Sequence, residues 1–174
     1  MNRLYRQLLL LLLIVIVMTG MVSCRSLFEN RDRDVRNLEK IFATIKQYQA
    51  QAYRNQDWCK NLYYLRGKFS NNNEASTCNL FPGPAQAFDN QATSDFASLA
   101  KQLASTGVQI LFFEVKFDDQ GEIKNAQFQL DCSFCSRPRY VYEPHYGNLP
   151  EDMRNEIWHT KINENWYLVE EDWN

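Results

Sequence analysis

The chain has 174 residues, 19 Lys plus Arg against 21 Asp plus Glu, and a formal net charge of −2. That balance argues against a nucleic-acid partner, because phosphate binding needs a concentrated positive field. A hydrophobic content of 45% with 14% aromatics excludes a disordered chain, and the length suits one domain able to bury a core.

The chain opens with Arg3 and Arg6, then an unbroken apolar run from Leu8 to Met18, then Met21-Val22-Ser23-Cys24. As a helix the apolar run reaches only about 16 Å, short of the ~30 Å hydrocarbon core, so it reads as an export signal. Its ending resembles the lipobox of bacterial lipoproteins, in which an aliphatic residue and two small residues precede an obligatory cysteine. Ser23 and Cys24 match, Val22 is acceptable, and Met21 stands where leucine is usual. The resemblance covers residues 1–24 only. It implies diacylglyceryl attachment to the Cys24 thiol, cleavage before Cys24 and acylation of the new amino terminus. Each buried methylene contributes about 0.8 kcal/mol, so several acyl chains hold the protein firmly to a membrane. The other readings are an uncleaved signal anchor and an ordinary secretory signal. Cleavage removes Arg3 and Arg6 and no acid, leaving 17 basic against 21 acidic residues.

Residues 24–33 are expected to form a charged, lipid-anchored tether, with a single domain over 34–174. Val35, Leu38, Ile41, Phe42, Ile45, Tyr48 and Ala52 recur at three- and four-residue steps. That spacing predicts an amphipathic helix from about Arg33 to Arg54. Trp58 to Phe69 is apolar without a deciding period and is read as a short second helix, broken by Gly67 and Ser70-Asn71-Asn72-Asn73. The stretch to Ala92, with Phe81-Pro82-Gly83-Pro84, reads as loop. Thr93-Ser94-Asp95 predicts the cap of a helix from about Ser94 to Ser105, stopped by Gly107.

The period then changes to two. Val108 to Phe117 is apolar on both parities and is expected to be a central strand. Asp118-Asp119-Gln120-Gly121 is a turn, and Glu122 to Cys132 alternates as its hairpin partner. Arg139 to Glu143 gives a third strand and Pro144 to Met153 a connection. Glu156 to Ile162 and Trp166 to Glu170 form a hairpin around Asn163-Glu164-Asn165. The expected class is α+β, with N-terminal amphipathic helices on an antiparallel sheet of about five strands. This order resembles the cone-shaped cystatin-like and nuclear-transport-factor-like folds over roughly residues 34–171. The departure is the hairpin such cones often place between early helices and later strands, where Phe69 to Ala92 reads as loop. The fold hosts both enzymes and passive binders, so it does not choose a function.

With Cys24 assigned to lipid, Cys59, Cys78, Cys132 and Cys135 remain, an even number that suits disulfides in an oxidising exterior. Pairing Cys59 with Cys78 closes a loop of about twenty residues and contributes about 3 kcal/mol by the loop-entropy estimate. Cys132-Ser133-Phe134-Cys135 lies between strand-like segments, whereas a redox pair needs an electropositive setting. In an extended strand the two cysteines are about 10 Å apart, beyond the ~7 Å limit of a bridge, so either Ser133-Phe134 turns or each pairs elsewhere. Zinc ligation by Cys132 and Cys135 with Cys59, Cys78 or His145 lacks a second knuckle, and no metal is expected. Asp118 and Asp119 read as turn residues without the spaced acids of a calcium loop. His145 and His159 read as ordinary surface or packed side chains. No nucleophile elbow, zinc-protease motif or phosphate-cradling glycine loop occurs, and no cofactor is expected.

Aromatics gather near the C-terminus. Tyr140, Tyr142, Trp158 and Trp166 are candidates for a surface that meets a protein or glycan partner, with core packing as the alternative. The expected function is an exported lipoprotein, anchored at the membrane on the periplasmic or extracellular side, that binds rather than catalyses. The rival is a cone-fold enzyme that pairs Glu114 or Glu143 with His145 or His159 within about 3 Å, and a thiol-disulfide protein comes third.

Overall fold

Helix formation begins where two acids meet the positive end of a helix dipole. Asp32 and Asp34 lie in the first turn of α1 (Arg31–Glu39), which buries Val35 and Leu38. The computed structural model describes residues 30–70, 86–131, 138–153 and 156–171. The export signal, Cys24, Cys78, Cys132 and Cys135 lie outside them, as does most of the expected loop from Phe69 to Ala92. One compact unit runs from Asp32 to Asn174.

Helix α2 (Phe42–Tyr48) buries Thr44 and Ile45 and stops at Gln49, whose backbone is left-handed with φ 51°. The Gln49 N–H donates to the carbonyls of Ile45 and Lys46, closing the helix end. The chain then runs straight into β1 (Ala50–Gln56), β2 (Cys59–Tyr64) and β3 (Gly67–Ser70), an antiparallel meander. The helix expected to reach Arg54 therefore ends six residues earlier, and the second helix expected over Trp58 to Phe69 is two strands. The physical reason is cover on both sides of the sheet. Leu62 and Tyr63 are adjacent, point to opposite faces and are both buried, so burial leaves no period of two to read.

Helix α3 (Asn90–Ser105) is capped by Asp89, whose Oδ1 accepts the Ala92 N–H at 2.7 Å. The expected cap residue Asp95 is instead buried one turn on, accepting from the Tyr64 hydroxyl at 2.8 Å and from Gln91 at 2.7 Å. The chain turns out of α3 at Gly107, φ 72°, as expected. Strands β4 (Ile110–Phe117) and β5 (Ile123–Leu130) form the expected hairpin. Asp118 Oδ1 accepts the N–H groups of Gln120 and Glu122, both at 2.9 Å, and Gly121 takes the positive φ that closes the turn. Strand β6 (Arg139–Tyr142) and the hairpin of β7 (Ile157–Lys161) and β8 (Trp166–Glu171) complete the sheet.

The class is α+β, and the antiparallel sheet has eight strands in the order β3-β2-β1-β4-β5-β6-β8-β7, more than the expected five. Register places Tyr53, Phe113, Phe128, Tyr140 and Leu168 in one row across it. The helices cover this face. Phe42 packs 6.3 Å from Phe128, 5.9 Å from Trp166 and 4.9 Å from Tyr142, while Phe96 of α3 lies 4.9 Å from Tyr53. Aromatic pairs of this kind contribute about 0.5–1.5 kcal/mol beyond the area they bury. On the other face Val141, Tyr167 and Val169 form a smaller cluster under Tyr146 and Leu149 of the connection to β7.

A side chain at a left-handed position is strained, and glycine removes the strain. Replacing Gln49 with Gly is expected to raise stability in urea unfolding by about 0.5–1 kcal/mol, and Gln49→Val to lower it.

Candidate functional site

The face opposite the helices carries a second row, Arg54, Phe112, Gln129, Arg139 and Val169. Alternation along a strand requires this, since Tyr53 and Phe113 point the other way. Part of the row lines a cleft of about 580 Å³ with Gln56, Trp58 and Glu171. Arg54 is the centre of its chemistry. Its guanidinium carbon lies 4.9 Å from the Phe112 ring centroid and 5.7 Å from that of Trp58, and Trp58 is 48% exposed. The Arg54 Nε is buried without a hydrogen-bond partner. Burial lowers the pKa of the guanidinium, and Glu114 nearby partly offsets that.

Arg139 is already committed. It makes an ion pair with Glu171 in which Arg139 Nη1 donates to Glu171 Oε1. Gln129 is buried and donates to the Pro138 carbonyl at 3.3 Å. Glu114, on the same face, accepts from Gln127 at 2.8 Å. Among the described residues, no carboxylate forms an ion pair with Arg54. The cleft thus offers one cation held between two aromatic rings, side-chain amides and a neutralised ion pair. Such a set can bind and orient a ligand.

The four C-terminal aromatics occupy the helix-covered face. Tyr140 and Trp166 are fully buried; the Tyr140 hydroxyl donates to Asp34 at 3.0 Å and Trp166 Nε1 to Glu39 at 2.8 Å. Tyr142 is half-buried, its ring 5.2 Å from that of Trp166. Trp158 is 37% exposed and pairs with Glu170, at the far end of β8 from Trp166. The structure brings Tyr142 and Trp166 together but gives the quartet no common surface.

Among the described residues no hydrogen bond joins an acid and a histidine of the enzyme reading. Glu143 accepts from the Tyr167 hydroxyl at 3.3 Å, and Glu114 is bonded to Gln127. His159 Nδ1 lies 3.2 Å from Asp152, whose same oxygen accepts the His159 N–H at 2.8 Å. The His145 N–H is taken by Asn165. Cys59 is fully buried, with Asn61 Nδ2 2.9 Å from its sulfur. Among the described residues no cluster of three His, Cys, Asp or Glu is placed to hold a metal. No helix among them is long and apolar enough to cross a membrane.

Two of the lining residues, Arg54 and Trp58, are four apart in sequence, and the helical reading of this stretch hid their connection to Phe112. A second cleft of about 520 Å³ lies between the end of α3 and the start of β4, lined by Tyr53, Leu103, Val108 and Asp131 among others, and carries no comparable cation.

Fold and site together define an α+β sheet protein with an aromatic, polar cleft on the sheet face opposite its described helices. The chain matches no protein-family model, no curated protein and no solved structure.

Burial raises the phenol pKa of Tyr53, to about 12, and that of Tyr167, also to about 12, where Glu143 adds to the effect. Tyr64 is raised by burial and then by its bond to Asp95. An unfolded tyrosine ionises near 10, so between about pH 10 and 12 the unfolded chain loses protons that the folded chain keeps, and stability falls as pH rises. Absorbance at 295 nm is expected to show these tyrosines ionising only as the fold is lost; full phenolate formation near pH 10 with the fold intact would contradict the burial.

Proposed function

We propose that the protein is an exported lipoprotein, anchored through lipid at Cys24, whose domain acts at the cell envelope as a non-catalytic binding module. The observation that carries the binding part is the cleft around Arg54. Among the described residues Arg54 is a cation without an ion-pair partner, packed against Phe112 and exposed Trp58, an arrangement suited to holding a ligand. Glu114, Glu143 and His159 are bonded to Gln127, Tyr167 and Asp152 rather than to one another.

The anchoring part rests on Arg3, Arg6, the apolar run and the ending at Cys24. The helices packed on the sheet, and the β1–β2 hairpin standing between α2 and α3, support the cone-shaped resemblance, because the hairpin expected there is supplied by Ala50 to Tyr64. A disulfide at Cys59 is supported by its complete burial. Its partner is proposed as Cys78, the nearest cysteine in sequence.

Intact mass measurement of protein extracted from membranes, with and without reduction before alkylation, tests the address. The expected species begins at Cys24, carries acyl groups and exposes four thiols only after reduction; one that begins at Met1 without acyl mass would remove the lipoprotein reading. Capture of envelope proteins or glycan fragments by the full-length protein tests the binding reading, which fails if neither is retained.

A further inference from the structure

We infer that the Arg54 cleft recognises a sugar bearing a carboxylate. This rests on the binding reading above and names its ligand class. Three features of the cleft select the chemistry. The first is charge: Arg139 is paired with Glu171, and among the described residues no carboxylate lies within ion-pair distance of Arg54, so Arg54 is the cation left to meet an incoming anion even with the Glu114 carboxylate, which accepts from Gln127, close by. Guanidinium and carboxylate match as planar, two-pronged partners, a fit that lysine does not reproduce.

The second is shape. The C–H face of a sugar ring packs against aromatic side chains, and Trp58 stands 48% exposed at the cleft. Gln56 beside it supplies amide groups suited to ring hydroxyls. A volume of about 580 Å³ is in the range of small-molecule sites and holds one or two sugar rings.

The third is topology. A peptide read through its backbone adds to a sheet edge, but the cleft lies over β1, β4, β5, β6 and β8, each already paired on both sides. The edge strand β7 is partly closed as well, with the His159 N–H taken by Asp152 and the Ile157 N–H by the Met153 carbonyl. A ligand recognised by side chains over the middle of the sheet fits this geometry, and an extended peptide does not.

Titration of the full-length protein in mild detergent with short oligomers of a hexuronic acid and of the matching neutral hexose, read by tryptophan fluorescence and calorimetry, tests the inference. The acidic oligomer is expected to bind at least about tenfold more tightly, the loss of one charge-assisted contact being of order 1.4 kcal/mol. Arg54→Met is expected to reduce the acidic oligomer to the neutral one's affinity, and Arg54→Lys to recover only part of the difference. Trp58→Ala is expected to weaken both sugars together. Thermal melts of each variant separate lost binding from lost folding. Equal affinity for the two oligomers, or an Arg54→Met protein that folds and binds as before, would overturn the inference. If hexuronate oligomers fail while envelope material is still captured, the carboxylate sugar is wrong and the binding module stands; if both fail, both fall.

Discussion

A sheet has two faces, and the three described helices cover one. Everything else in the domain follows from that division. The covered face is a continuous aromatic row, Tyr53, Phe113, Phe128 and Tyr140, with Phe42 and Phe96 pressed onto it from the helices. The opposite face must find other cover or meet solvent. At Val141, Tyr167 and Val169 it is covered by Tyr146 and Leu149, and from Trp58 across β1, β4 and β5 to Arg139 and Glu171 it carries the charged, amide and aromatic side chains of the cleft.

The helices are positioned by polar contacts as well as by rings. Asp34, Glu39 and Asp95 each accept from an aromatic donor on the sheet, namely Tyr140, Trp166 and Tyr64. Thr44 and Gln102 join α2 to α3 at 2.6 Å, and Asn37 of α1 reaches the Thr106 carbonyl beyond α3 at 2.9 Å. A buried acceptor left unpaired costs about 1–3 kcal/mol, so a helix that slides along the aromatic row loses these partners in exchange for similar apolar contact. The rings supply the attraction and the polar pairs set the register. Arg54 breaks this rule of satisfaction on the open face, which is why its cleft draws the functional argument.

The second half of the domain was legible from its pattern because β5 alternates, β4 is a continuous apolar run, and the turns have recognisable chemistry. Asp118 to Gly121 and Asn163 to Asn165 announce hairpins through residues that accept from their own backbone. Residues 50–70 were not legible. Ala52 continues the helical spacing of Ile45 and Tyr48 by coincidence, and the event that ends the helix is the left-handed turn at Gln49, a residue type that does not advertise it. Once that stretch is misread, the cleft disappears from view, because Arg54 reaches Phe112 only through the pairing of β1 with β4. The aromatic C-terminus misleads in the other direction: Tyr140 and Trp166 are polar-tipped, but the tips are satisfied inward by Asp34 and Glu39.

Hydrogen exchange on the full-length protein, compared between its native membranes and the detergent-purified state, tests most directly whether the sheet face opposite the described helices is the working surface. The account predicts slower exchange in membranes at the β1–β2 turn around Trp58 and at the start of β4, with α1 to α3 unchanged. Protection confined to the helices, or the same exchange in both states, would contradict it.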